Sequence, residues 1–169
     1  MWISPPPSTL LDIGCGDGAF IRVLAQRLPG VSVTGIDPVM HERVEQVGRI
    51  RFARASVEQL PFTPDTFDVC VASLSLHHWN DVVAGLSEAY RVLRPGGYLV
   101  IGDPLLKGWL SNRFLGWLAQ KTDGGAFADP VELIAKLERA GFAEIRIDMV
   151  EKSMQSLFLV TARKQSPGQ

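Results

Sequence analysis

The sequence has few cysteines, almost no net charge and no long apolar run, and each shortage removes a class of protein. Only Cys15 and Cys70 among the 169 residues are cysteines. One lies in a glycine-rich turn and the other in an apolar, strand-like run, a placement that suits neither a disulfide framework nor a metal site. Both read as free thiols of a reducing compartment. Lys and Arg number 17 against 18 Asp and Glu, a formal charge of −1. No global field therefore draws the chain to nucleic acid or to an anionic membrane. Apolar runs stop well short of the ~18 residues of a membrane span. Met1 to Pro7 has neither the basic nor the apolar region of a secretory signal. The expectation is a cytoplasmic chain with no membrane span, no metal and no nucleic-acid partner.

What is present has the balance of an ordinary globular protein, 46% apolar and 21% charged, with a length that suits one domain. Thr9–Ile13 is a short apolar run ending in glycines, as a buried strand does. Apolar residues at Phe20, Ile21, Leu24, Ala25 and Leu28 predict a helix from Asp17 to Leu28, with Asp17 as its cap and Pro29-Gly30 as its stop. Val31–Ile36 predicts a second strand, Val39–Val47 a helix, and Ile50–Ala55 and Phe67–Ser73 two further strands. A helix capped by Asn80 or Asp81 runs to Leu93, and a fifth strand spans Tyr98–Ile101.

Alternating strands and helices argue a parallel sheet covered on both faces. The ending breaks that rhythm. A helix from Pro130 to Ala140, closed by Gly141, precedes two strand-like runs, Ala143–Val150 and Met154–Ala162. Their link is too short for a parallel crossover, so they form a hairpin and one strand is antiparallel. Residues Gln165 to Gln169 read as a mobile tail.

The chemistry centres on Asp12-Ile13-Gly14-Cys15-Gly16-Asp17-Gly18, where the first strand turns into a helix. Glycines there permit a sharp turn and let a ligand approach the main chain without meeting a Cβ. The end of a strand in an open α/β sheet is also where ligands bind. Gly14, Gly16 and Ala19 satisfy a dinucleotide fingerprint, with Asp37 about twenty residues on for a ribose. By these residues alone a nicotinamide dinucleotide remains open.

The longer pattern resembles a family. Leu10-Leu11-Asp12-Ile13-Gly14-Cys15-Gly16-Asp17-Gly18 is similar to motif I of the class I S-adenosylmethionine-dependent methyltransferases, whose acid before the first glycine the dinucleotide fingerprint lacks. Asp37 matches the acid that ends that family's second strand. Leu60-Pro61-Phe62 with Phe67-Asp68-Val69, then Leu76-His77-His78-Trp79, then Arg91-Val92-Leu93-Arg94-Pro95-Gly96-Gly97, resemble signatures of its small-molecule, methyltransferase type 11-like branch. The resemblance runs in consistent order from about Leu10 to Lys164. It implies a Rossmann-like three-layer sandwich with a mostly parallel seven-stranded sheet, order 3-2-1-4-5-7-6, and an antiparallel last strand.

Residue by residue, the resemblance implies the following. Gly14, Cys15 and Gly16 meet the methionine moiety of S-adenosylmethionine through their backbone, and Asp12 orients its amino group. Asp37 holds the ribose hydroxyls, with Pro38 beside the adenine. Ser56 stands where the family typically has an acid for the adenine amino group, so the charge-assisted form of that contact is missing. The Val57 N–H serves the ring, and Ser73 borders the site. The product is S-adenosylhomocysteine.

The resemblance also implies a single domain over residues 1–164 that lacks the family's usual N-terminal cap helices. Either the chain is a trimmed one, or the cofactor site is open, or a homodimer or another partner covers it. His77 and His78 are candidate bases, His78 the favoured one, with packing or capping beside Trp79 and Asn80 as the alternative. Asp103 is a second polar candidate whose alternative is capping the segment that follows. Leu105–Gly125 carries Trp109, Phe114 and Trp117 on an apolar helix and reads as a lid over a hydrophobic small acceptor, as packing on the sheet, or as a sticky patch for a partner or membrane surface. The expected function is methyl transfer to a small acceptor by in-line displacement. The alternative is a non-catalytic cofactor-binding or partner-binding domain of the same fold.

Overall fold

The computed structural model describes residues 6–40, 45–105, 130–152 and 155–166. The elements in chain order are β1 (Thr9–Ile13), α1 (Ala19–Arg27), β2 (Ser32–Asp37), β3 (Glu45–Val47), β4 (Ile50–Arg54) and β5 (Phe67–Ser73). A 3-10 turn at Leu76–His78 follows, then α2 (Val82–Val92), β6 (Leu93–Leu105), α3 (Pro130–Arg139), β7 (Phe142–Lys152) and β8 (Gln155–Lys164). All strands join one sheet in the order β3-β4-β2-β1-β5-β6-β8-β7. Pairings from β4 to β6 are parallel, while β8 runs antiparallel to both β6 and β7. Leaving aside the short β3, this is the expected 3-2-1-4-5-7-6 order.

The central strands are apolar on both faces because both are covered, as parallel sheets require. Leu10 of β1 packs with Val33, Val69, Phe52 and the α1 residues Ile21 and Ala25. Its neighbours Leu11 and Ile13 point the other way, into a cluster with Leu86, Ala89 and Val92 of α2 and Leu133 and Leu137 of α3. That cluster continues through Leu99, Ile101, Phe158 and Val160 of β6 and β8. Burying each such side chain contributes about 1.5–3 kcal/mol.

Three local expectations are corrected. The helix expected over Val39–Val47 is not the structure at its end: Glu45–Val47 is β3, paired with β4 across Gly48-Arg49. Gly48 adopts φ +62, which turns the chain back in two residues. Residues 41–44 of that segment lie outside the described residues. The cap of α1 is Gly18, in the left-handed region at φ +79, rather than Asp17. Asp17 still accepts the Ala19 N–H at 2.9 Å. The strand beginning at Tyr98 starts earlier, at Leu93, with a register shift between the Phe67↔Leu93 and Val69↔Tyr98 pairs. The expectations for Leu105–Gly125 fall, from residue 106 onward, outside the described residues, as does the end of the tail.

Candidate functional site

Strand ends gather the polar groups at one edge of the sheet. Asp37 ends β2, Asp12 precedes the last residue of β1, Ser73 ends β5, and Asp103 lies near the end of β6. These four strands are consecutive neighbours in the order β2-β1-β5-β6. At a strand spacing of about 4.8 Å, the row extends roughly 15 Å.

The glycine turn is locked to β2 before any ligand arrives. The N–H groups of Gly14 and Cys15 both donate to the Ile36 carbonyl, at 2.8 and 2.9 Å. That of Gly16 donates to Asp37 Oδ2 at 3.0 Å. Contact between these three residues and a ligand therefore runs through Cα and carbonyl groups. Gly14 (φ +75) and Gly16 (φ +53) are both left-handed, a conformation that glycine adopts without strain. A Cβ on Gly16 would meet no heavy atom within 4 Å, so the turn presents an open face there.

Asp12 is the electrostatic anomaly of the site. It is 1% exposed, and its Oδ2 has no hydrogen-bond partner among the described residues. Burial pushes its carboxyl up from 3.8 to about 7. A buried carboxylate with an unmet acceptor costs free energy unless a donor or cation comes to it. Asp37 differs: it is half-buried, with Oδ2 on Gly16 and Oδ1 accepting the Val39 N–H at 2.9 Å. Pro38 and Val39 beside it are exposed. Cys15 is buried, and burial first, then the charges of Asp12 and Asp37, push its thiol up to about 12. Such a thiol is inert as a nucleophile.

Ser56 and Val57 follow β4, whose neighbour is β2. The Ser56 hydroxyl donates to Glu58 Oε2, while Glu58 Oε1 accepts the N–H groups of Asn80 and Asp81 at 2.9 and 3.2 Å. Glu58 thus ties this loop to the segment after β5. Val57 is buried, with Ser56 half-exposed beside it.

That same segment carries His77 and His78. Ser75 packs against Gly14, and its hydroxyl donates to the Ile13 carbonyl at 2.7 Å. Leu74 is left-handed at φ +55 and 53% exposed, an apolar side chain held outward at a strain of about 1–2 kcal/mol. His77 Nδ1 lies 2.7 Å from Oδ1 of the buried Asp103, and its backbone N–H donates to Oδ2 at 3.2 Å. The His78 ring lies against that of His77, tilted at 47° with centroids 4.0 Å apart. Sequence reasoning singled out His77 and Asp103 separately but missed their pairing, and it missed Ser75 altogether. The Ser73↔Gly102 register of β5 on β6 brings the pair together, and no short-range pattern encodes it.

The fold, with its polar groups gathered at the strand ends, is that of the Rossmann-like methyltransferases. Residues 11–101, more than half of the chain, match the family described as a methyltransferase domain. The chain belongs to that family, the class I S-adenosylmethionine-dependent methyltransferases. It is 30% identical over 148 residues to 2-methyl-6-phytyl-1,4-hydroquinone methyltransferase 2 of Oryza sativa subsp. japonica, covering 83% of this chain and 40% of the relative. A demethylmenaquinone methyltransferase of Thermus thermophilus is 28% identical over 165 residues, covering 81% of this chain and 75% of that protein. The solved structure of Haemonchus contortus phosphoethanolamine N-methyltransferase 2 in complex with S-adenosyl-L-methionine superposes with a TM-score of 0.79. That match is 20% identical and covers 98% of this chain and 50% of that one. The chain thus spans less than half of the rice relative's length and half of the nematode chain.

Proposed function

We propose that this chain transfers a methyl group from S-adenosylmethionine to a small, hydrophobic acceptor. The observation that carries this reading is the unmet Oδ2 of buried Asp12, set beside the open face of Gly16 and one strand away from Asp37. A ligand with an ammonium group near a ribose fits that spacing, and a ligand with neither a cation nor a hydrogen-bond donor there leaves Oδ2 unmet.

In this reading Asp12 orients the ammonium group, directly or through water, and Gly14, Cys15 and Gly16 line the methionine moiety. Asp37 takes the ribose hydroxyls, Pro38 flanks the adenine, Ser56 accepts from its amino group, and the Val57 N–H meets the ring. With its proton given to Glu58, the Ser56 oxygen keeps lone pairs to offer. Ser73 borders the transfer point. When bound, the sulfonium supplies an activated methyl group, so the protein's main task is alignment, worth about 7–11 kcal/mol. Outward-held Leu74 and the hydroquinone and menaquinone relatives support an apolar acceptor. Two free, buried thiols support a reducing compartment such as the cytoplasm. No helix among the described residues is long and apolar enough to cross a membrane.

Calorimetric titration with S-adenosylhomocysteine, with NAD as the control, tests the reading. Micromolar binding that Asp37→Ala abolishes is the expected result. Binding of NAD in its place would overturn it.

A further inference from the structure

The sheet ends in a strand with one open side. Among the described residues β7 pairs with β8 alone, so the N–H and C=O groups along its other side meet no strand. At 11 residues it is long beside the usual strand of about 5–6. It contains neither the proline nor the glycine that commonly blunts an edge. Its one irregularity lies at Ala143–Arg146, where Glu144 is left-handed at φ +50, and from Arg146 onward the register to β8 is unbroken. The two faces of that regular stretch differ. Ile145 and Ile147 pack on the core, and Met149 follows them on the same face, 44% exposed. Arg146 and Asp148 stand exposed on the other face, with no ion pair among the described residues.

We infer that two copies of this chain pair edge to edge along β7, antiparallel about a two-fold axis through Ile147. The inference goes beyond the methyl-transfer reading and does not depend on it. In that register Arg146 lies opposite the partner's Asp148, and Asp148 opposite the partner's Arg146, with Cβ atoms about 4.5–5.5 Å apart. On the other face Ile147 meets the partner's Ile147, while Ile145 lies opposite the partner's Met149, which covers the exposed methionine. Other registers lose this match. Centring on Arg146 or on Asp148 sets like charges directly opposite, and centring on Met149 sets Asp148 against the partner's Val150. A slip of one residue turns each apolar side chain toward a charged one. Centring on Ile145 draws the bulge into the pairing, and Glu144 there already holds Arg163 at 2.8 Å. A two-fold interface requires one patch to complement itself, and Ile145-Arg146-Ile147-Asp148-Met149 does so in charge on one face and in apolarity on the other. That self-match selects a second copy as the occupant of the edge.

Sedimentation equilibrium of the full chain tests the pairing. The parent is expected to dimerise. Arg146→Asp and Asp148→Arg each place two like-charge contacts in the pair and should weaken self-association by about 10-fold or more. An equimolar mixture of the two variants should associate as the parent does, because every contact in the mixed pair again joins opposite charges. Met149→Lys, exposed in the single chain and covered in the pair, should weaken association from the other face. Circular dichroism should match the parent's in all three, since none of these side chains lies in the core. A parent that stays monomeric at about 100 µM would overturn the inference. So would variants that dimerise as the parent does, or a mixture of the two folded charge variants that stays as weak as its components.

Discussion

Gly14 and Ser75 compete for the same space: a Cβ built on Gly14 would lie 2.5 Å from the Ser75 Cβ. The glycine turn and the loop that carries His77 are thus in direct contact, and a glycine at position 14 is what allows it. Gly14→Ala adds a steric clash to a left-handed φ of +75. Together these should cost about 2–5 kcal/mol, read as a fall in denaturation midpoint. Gly16→Ala is the informative contrast, because nothing lies within 4 Å of its added Cβ. Its stability loss should stay near the 1–2 kcal/mol of the φ penalty, while affinity for S-adenosylhomocysteine drops. A Gly16→Ala variant that binds as the parent does would show that the ligand does not approach this turn.

In the proposed site, Asp12 should tie cofactor binding to protons. Its carboxyl is raised from 3.8 to about 7 by burial. In the free protein that raised value contributes stability fully present below pH 3.8 and lost as pH rises through about 7. A bound ammonium group favours the ionised form, so binding below pH 7 should release a proton. Calorimetry at pH 6 in two buffers of different ionisation enthalpy measures that release directly. It should approach one proton in the parent and vanish in Asp12→Asn. Equal release in the two proteins would separate Asp12 from the ligand's cation.

The motif at Asp12–Gly18, the alternation of strands and helices and the closing hairpin were legible because they rest on local signals: apolar runs of strand length, glycines at the turns, and a link of a few residues before the last strand; the strand order came from the family resemblance. The same signals misread Val39–Val47, where the spacing of Val39, Met40, Val44 and Val47 suits a helix. Gly48, followed by a strand, was the competing turn signal, and it won at least from Glu45 onward. At the site, the gathering of Asp12, Gly14, Gly16 and Asp37 was readable because they belong to one contiguous turn and one strand end. The pairs made by the segment after β5 were not. His77 meets Asp103 across 26 positions, and Gly14 meets Ser75 across a sheet neighbour, so only the register of β5 on β1 and β6 creates those pairs.

Asp68 holds the opposite end of the sheet. Its Oδ2 accepts the backbone N–H and hydroxyl of Ser8 and of Thr9, at 2.7 to 3.0 Å, and its Oδ1 takes Arg94 at 2.6 Å. Burial pulls its carboxyl upward, but these donors outweigh it and hold the group far below 3.8. The stability it contributes is present above pH 3.8 and is lost as pH falls through the depressed value. Asp68→Ala should lose at least the ~1.5–3 kcal/mol of one hydrogen bond to a charged group. Denaturation midpoints followed from pH 5 down to pH 2 should show a shallower acid limb for the variant than for the parent. Parallel curves would place the acid sensitivity elsewhere.

Glu58 joins two loops at the carboxyl edge of the sheet, since it accepts from Ser56 after β4 and from the Asn80 and Asp81 backbone after the His77 turn. Burial raises its carboxyl, and the hydrogen bonds from Ser56, its own backbone, Asp81 and Asn80 more than reverse that, for a net lowering. Asp81 caps α2 through the Ala84 N–H, so the two N–H groups that Glu58 accepts lie where that helix begins. Glu58→Ala leaves both donors unmet, at about 1–3 kcal/mol for each that water does not reach. Glu58→Gln keeps one oxygen acceptor and should recover most of that stability. At Ser56 the two variants should agree. A Gln whose carbonyl stays on the Asn80 and Asp81 N–H groups turns its NH2 to Ser56, and Ala offers nothing, so the serine proton loses its acceptor in both. Affinity for S-adenosylhomocysteine relative to its inosine analogue, which lacks the amino group, should therefore fall in both variants. If both variants keep the parent's preference, Ser56 does not read the adenine amino group, and Glu58 acts on stability alone.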